Sequence, residues 1–183
     1  LDSLALLRGV AVLRPRGPLA ALGALIEERV VRTPFGDVGP LALRRADAFS
    51  LWLQPYSGLP TRTDPRATIY AARSLGAQRL LTWDVGFSIN HALHRGQTVI
   101  PIDAIDVTRH QPDTFSSTPG IESVLHESAE TATFCPEATA ILHAEYPLAP
   151  PVLVVGVDGP RRETPAEARM ARAWGGDRFC RTT

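Results

Sequence analysis

Residues 152–177 (VLVVGVDGPRRETPAEARMARAWGGD) constrain the fold of this chain more than any other stretch. The apolar run 152–157 predicts a buried strand, and Gly159-Pro160 breaks it with a turn. Thr164 reads as the N-cap of a helix, Pro165 as its first position, and Glu167, three residues after the threonine, completes a capping-box pattern. Met170, Ala171 and Trp174 share one face of that helix, and Gly175-Gly176 stops it. Strand, tight turn and capped helix in succession predict an α/β fold. They place polar side chains at the carboxyl end of a strand, where open α/β sheets bind ligands. A well-capped core helix without any function satisfies the same pattern, so chemistry has to come from particular side chains.

The remaining elements follow in order. Residues 9–13 (GVAVL) read as a first buried strand and RPRGP, residues 14–18, as a turn. Residues 19–29 carry apolar side chains at helical spacing (Leu19, Leu22, Leu25, Ile26), with Glu27 and Glu28 exposed. Residues 30–36 and 41–45 read as two strands about a Pro-Phe-Gly turn, and 49–53 (FSLWL) as a third. Asp64 caps a helix that starts at Pro65, turns Ile69, Ala72 and Leu75 inward and ends at Gly76. A strand is predicted over 79–83. Another, over 99–105, is nearly continuous and apolar and is therefore expected at the centre of the sheet. Residues 106–120 form a polar loop long enough to be functional, and 137–146 a helix. No repeat, linker or heptad seam interrupts the pattern, so residues 1–183 are expected to form one domain.

Composition excludes several classes of function. The 183 residues have zero formal net charge, and all 19 basic residues are arginine, mixed with the 19 acidic ones along the chain. No basic stripe suits nucleic acid and no polybasic segment suits a membrane surface. No apolar run reaches the ~20 residues that span a bilayer. Cys135 and Cys180 are too few and too far apart for a disulfide framework or a zinc site, so a cytoplasmic protein without metal or cofactor is expected.

Three stretches carry a family resemblance. DGPRRETPAEARMARAWGGD resembles the segment of the trimeric purine nucleoside phosphorylase and methylthioadenosine phosphorylase family in which an acidic residue precedes Gly-Pro-Arg. In that family a second glutamate and a Trp-Gly-Ala-Asp-like helix end follow; here Asp158, Gly159, Pro160, Arg161, Glu167, Trp174, Gly175 and Asp177 fall in register. RTPFGD (32–37) resembles the family's Thr-Pro-Phe-Gly turn, and IDAIDVTRHQPDTF (102–115) its strand and loop after the central sheet. The resemblance runs collinearly over residues 32–183. It implies a mixed central sheet flanked by helices, a homotrimer with sites near subunit boundaries, and a small-molecule substrate. The family continues past Thr183, so the domain is expected to be truncated at its C-terminus.

Several positions depart from the family pattern. A glycine-rich phosphate turn is replaced by Arg14-Pro15-Arg16-Gly17-Pro18, whose prolines remove two N–H donors. An Arg-His pair that the family uses for phosphate is replaced by Leu51-Trp52, or by Gln54-Pro55 if the register slips, and neither pair supplies a cation. Trp83 and Asp84 stand where the family keeps small neutral residues before a Gly-Ser pair, and Asp84 adds a charge that repels an anion. Arg162 replaces a base-stacking aromatic and Arg181 a ribose-packing methionine, while Thr182 matches a phosphate-site threonine. His126 lies one place from a histidine that enters the neighbouring subunit's site.

The resulting candidates are Asp84, Asp158, Glu167 and His126 for acid–base catalysis. For substrate binding they are Trp52, Trp83, Ser88, His110, Arg161, Arg162, Arg181 and Thr182. The changed anion site predicts a divergent enzyme on the phosphorylase scaffold that has lost phosphorolysis. Such an enzyme would perform acid–base chemistry (elimination, cyclisation or hydrolysis) on a small, fairly apolar or nucleoside-like substrate. Two alternatives stay open: an active phosphorylase or nucleoside hydrolase with an anion site rebuilt from arginines, and a non-catalytic binding or assembly protein.

Overall fold

The structure is a computed structural model, and it describes residues 10–13, 22–46, 49–54, 64–109, 115 and 132–181. The chain divides into two compact units, Leu1–Asp84 with Gln111–Thr114 and Val85–His110 with Phe115–Thr183.

The first unit holds a five-stranded mixed sheet. Its strands are β1 (Val10–Leu13), β2 (Ala24–Thr33), β3 (Gly36–Ala46), β4 (Phe49–Gln54) and β5 (Arg79–Thr82), in the spatial order β2-β3-β4-β1-β5. β2 and β3 form the expected hairpin, closed where the Thr33 hydroxyl donates to Gly36 O at 2.6 Å and accepts from Phe35 N at 3.1 Å. Gly36 takes a φ of +115°, which side chains resist. Helix α1 (Pro65–Ser74) begins as predicted, with the Asp64 carboxylate accepting from Arg66 N at 3.0 Å. Its buried face is Ala67, Ala71 and Ala72, small residues that let the helix lie close against Val38 and Leu41. Ile69 is exposed, so the inward set is displaced from the predicted Ile69–Ala72–Leu75 stripe.

Residues 24–29 are strand, which corrects the helical spacing read over 19–29. β2 pairs with β3 through register shifts between Leu25 and Glu27 and between Arg29 and Val31. Each shift interrupts the alternation of faces, so the apolar spacing of this segment no longer has a period of two. The helix-like pattern is the signature of a bulged strand.

The second unit holds a four-stranded sheet ordered β6-β9-β8-β7, from β6 (Phe87–Ser88), β7 (Ile100–Asp106), β8 (Pro151–Gly156) and β9 (Arg178–Cys180). β7, β8 and β9 run parallel, and β6 is antiparallel to β9. Val152, Val154 and Val155 are almost wholly buried, so β8 is the strand that organises the core. β7 is an edge strand in this sheet, with Ile102 half exposed, against the expectation that it is central. A register shift between Pro101 and Asp103 places that apolar run on both faces of an edge.

Helices α2 (Pro136–Glu145) and α3 (Pro165–Ala173) complete this unit. Ala171 of α3 is buried against Ile89, Val155, Val157 and Phe179, whereas Met170 and Trp174 on the same predicted face are half exposed. Close approach explains the glycine after the helix. A Cβ at Gly176 would fall 2.6 Å from Val155 Cγ2 and 3.0 Å from Ala171 O. Asp177 then ties three segments together. Its carboxylate accepts from Asn90 Nδ2 at 2.7 Å and from Leu153 N at 2.9 Å, and its carbonyl accepts from Ile89 N and Asn90 N.

The class is therefore the expected mixed α/β one, with the strands distributed over two hydrogen-bonded sheets. No helix among the described residues is long and apolar enough to cross a membrane.

Candidate functional site

Because β7, β8 and β9 are parallel, their carboxyl ends open on the same edge of the sheet. Backbone bonds hold the exits in line: Val107 N donates to Gly156 O at 3.0 Å, and Val157 N to Cys180 O at 2.8 Å. Asp158 leaves β8 at this edge. Its Oδ2 accepts from Arg109 N, just past β7, at 2.9 Å. Its Oδ1 is buried and has no hydrogen-bond partner among the described residues. A buried acceptor left unfilled costs about 1–3 kcal/mol, so this oxygen favours any donor that reaches it.

Beside Asp158, the side chain of Arg181 packs over Gly159, where a Cβ would lie 3.3 Å from Arg181 Cδ. Its guanidinium pairs with Glu163, 2.8 Å from Nη2 to Oε2 and 3.1 Å to Oε1. The same guanidinium lies 4.5 Å from the centre of the Phe87 ring. Both partners are largely withdrawn from water, with side-chain exposures of 17% for Arg181 and 9% for Glu163. Glu163 escaped the sequence reading. A glutamate between an arginine pair and a helix cap looks like an exposed charge, and only the fold brings Arg181 to it.

Arg161 and Glu167 meet one turn further on. Arg161 donates to both carboxylate oxygens, at 2.6 and 2.9 Å, and Thr164 N donates to Oε2 at 2.6 Å. The hydrogen bond from Arg161 is the main reason, and that from Thr164 N the next, that the Glu167 carboxyl is pulled down to about 2. The predicted capping box is present in full, with Glu167 N donating to Thr164 Oγ1 at 3.2 Å. A carboxyl this acidic carries no proton near neutral pH, so Glu167 has no proton to give as a general acid there.

The remaining candidates fall in different places. Ser88 is exposed on β6, and its hydroxyl donates to Asn90 O at 2.7 Å. Arg162 is exposed, and its carbonyl accepts from Arg161 Nη1 at 3.1 Å. Trp52, Trp83 and Asp84 belong to the first unit. Trp52 packs on Ala72 and Ala77, with the Arg29 guanidinium 5.6 Å from its ring centre. Trp83 is half exposed just after β5, and Asp84 is partly buried. His110, His126 and Thr182 lie outside the described residues, as do Arg14 and Arg16. Of the described candidates, the second unit thus carries Ser88, Asp158, Arg161, Arg162, Glu167 and Arg181. No cluster of three or more His, Cys, Asp or Glu among the described residues could hold a metal ion.

A model of the Phosphorylase superfamily matches residues 53–178, from the end of β4 through α3 into β9. The chain belongs to the phosphorylase superfamily. It is 35% identical over 159 residues to a probable S-methyl-5'-thioinosine phosphorylase of Methanopyrus kandleri, with 81% of this chain and 60% of that protein covered. It is 30% identical over 162 residues to the 6-oxopurine nucleoside phosphorylase of Pyrococcus furiosus, with 82% and 61% covered. This phosphorylase-superfamily chain therefore spans about 60% of the length of these curated relatives. In structure it is similar to a methylthioadenosine phosphorylase from an antarctic soil metagenomic library, at a TM-score of 0.80 and 25% identity over 94% of this chain and 64% of the other. The apo methylthioadenosine phosphorylase of Schistosoma mansoni gives a TM-score of 0.83 at 23% identity, covering 94% and 71%. The fold read from the three sequence stretches is that of these phosphorylases. The named relatives also favour the alternative of a phosphorylase over the expectation that phosphorolysis has been lost.

Proposed function

We propose that this protein is a nucleoside phosphorylase acting on a purine nucleoside or its 5'-methylthio analogue. Phosphate oxygen attacks the anomeric carbon, the glycosidic C–N bond breaks, and its electron pair leaves with the base, which takes up a proton. The products are a free base and a sugar 1-phosphate. The observation that carries this reading is the polar edge at the carboxyl ends of β7, β8 and β9, in a chain whose relatives bear nucleoside phosphorylase names.

Within that reaction we assign Asp158 Oδ1 to accept a hydrogen bond from a donor on the nucleoside, since the fold leaves it unfilled. Glu167 is a positioning residue for Arg161 rather than a proton carrier. Elimination, cyclisation or hydrolysis draws no support from the relatives' names; of the replacements behind that expectation, Leu51-Trp52 and Trp83-Asp84 are among the described residues and the glycine turn is not.

The test is direct. Purified protein is incubated with inosine, 5'-methylthioinosine or 5'-methylthioadenosine, with and without phosphate. Phosphate-dependent release of base at about 1 per second or faster supports the reading. Base release independent of phosphate, or none from any of the three, overturns it. A single domain, a closed homotrimer and a cytoplasmic location are part of the same proposal; sedimentation as a monomer at micromolar concentration would remove the trimer.

A further inference from the structure

We infer that the open edge of β2 is a pairing surface for a second copy of this chain, joined antiparallel across a two-fold axis centred on Val30. Strand β2 lies at the edge of the first unit's sheet, and β3 is its one strand partner among the described residues. Of its two register shifts, the first inserts Ile26 into β2. The second sets Gly39 and Pro40 of β3 against Val30 alone, so β2 itself runs regularly from Glu27 to Thr33. Alternate N–H and C=O groups of that stretch point away from β3, and no proline removes a donor.

The two faces of the stretch differ. Val31 packs on the cluster of Val38, Leu41, Ala67 and Ala71. The Arg29 guanidinium lies 5.6 Å from the Trp52 ring centre and pairs with Glu27 at 2.9 Å. Alternation puts Glu28, Val30 and Arg32 on the opposite face, where all three are exposed, Val30 at 57%. Among the described residues neither Glu28 nor Arg32 has an ion-pair partner.

The order acid, valine, base is its own complement when reversed. In an antiparallel pair about Val30, Glu28 faces Arg32 of the second copy, Val30 faces Val30, and Arg32 faces Glu28. On the other face Arg29 meets Val31 and Glu27 meets Thr33, so no like charges are opposed. Centring the pair on Arg29, Glu28 or Glu27 instead sets that charge directly against its own copy. A parallel pair in register stacks Glu28 on Glu28 and Arg32 on Arg32. Like charges so placed destabilise a ladder, whereas opposite charges and facing β-branched residues stabilise it. Charges on an edge strand commonly deter pairing. Here their order repels in those arrangements and attracts in this one.

A two-fold contact joins copies in pairs, so it turns a monomer into a dimer or a closed trimer into a hexamer. The experiment is sedimentation velocity on the full chain, from low to high micromolar concentration. It compares wild type with Glu28→Arg, with Arg32→Glu and with the double variant, each checked for a cooperative melt. Wild type is expected to form an even-numbered assembly in reversible exchange, weakened by salt. Each single reversal opposes like charges at two places and should weaken association by about tenfold or more. The double variant restores the complementarity with the signs exchanged and should associate nearly as tightly as wild type. That rescue cannot arise within one chain, because residues four apart on a strand are separated by about 13 Å. Should a reversal fail to fold, Glu28→Gln and Arg32→Gln carry the same test with a smaller expected loss. A wild type that sediments as a monomer or with an odd number of copies at every concentration overturns the proposal, whether the edge stays bare or takes a strand of another protein. Single variants that associate as tightly as wild type overturn it too, as does a double variant no tighter than the singles. Glu28, Val30 and Arg32 are not among the candidate site residues, so failure here leaves the proposed function standing, and the reverse also holds.

Discussion

Arg181 and Glu163 form a two-point ion pair, 2.8 Å at its shortest, with the guanidinium stacked on Phe87. It joins the end of β9 to the turn that follows β8, and so holds the Gly159–Pro160 segment against the strand that Arg181 terminates. Both side chains are mostly buried, so removing either leaves a charge without its partner. Glu163→Leu or Arg181→Met is expected to cost about 3 kcal/mol in urea denaturation. The double variant should cost clearly less than the two singles added together. Strict additivity would mean that the pair contributes no coupling.

The Arg161–Glu167 pair gives a pH dependence with a definite sign. Glu167 titrates near its ordinary 4.5 when unfolded and at about 2 when folded, mainly through the Arg161 hydrogen bond. Between those values the unfolded chain binds more protons, so stability rises with pH there. The contribution is complete above about 4.5 and disappears as the pH falls through about 2. Melting curves from pH 2 to 6 are expected to show this slope in the wild type and a shallower one in Glu167→Gln. Parallel curves would contradict the assignment.

Asp177→Ala removes the acceptor for Leu153 N and for Asn90 Nδ2 at once. Leu153 lies in β8, so its N–H is left in the interior of the sheet without a partner. The expected loss is about 2–4 kcal/mol, measured by thermal denaturation. Asp177→Asn keeps one carbonyl oxygen and is expected to lose less.

How much of this was legible in the sequence depended on the distance over which each cause acts. The Thr164–Glu167 capping box, the Asp64 cap and the Pro-Phe-Gly hairpin turn were all readable, because each is made within four residues of itself. Residues 24–29 misled because a bulge spoils the alternation of faces, and a bulge is defined by the partner strand β3, which the segment itself does not name. The run 99–105 reads as central from its apolar content alone. Its place at the edge follows from which strands pair with β8.

The candidate site divides along the same line. The DGPRRETPAE motif put Asp158, Arg161 and Glu167 near a strand end, and family resemblance supplied their neighbourhood. Their electrostatic states came from pairing. Arg161 and Thr164 N hold the Glu167 carboxylate, contacts that the motif places within reach, whereas Glu163 carries no local signal of its partner. Local sequence by itself determined the caps, the turns, the buried β8 and the α/β class, since these rest on dihedral preferences and nearest-neighbour hydrogen bonds. Only the tertiary structure decided which charges are matched and which are left open. Arg181 meets Glu163 across 18 residues, and Arg178 meets Gly86 across a strand pair with no acceptor for its Nε, because ion pairing and desolvation depend on distances that the chain sets only when it folds.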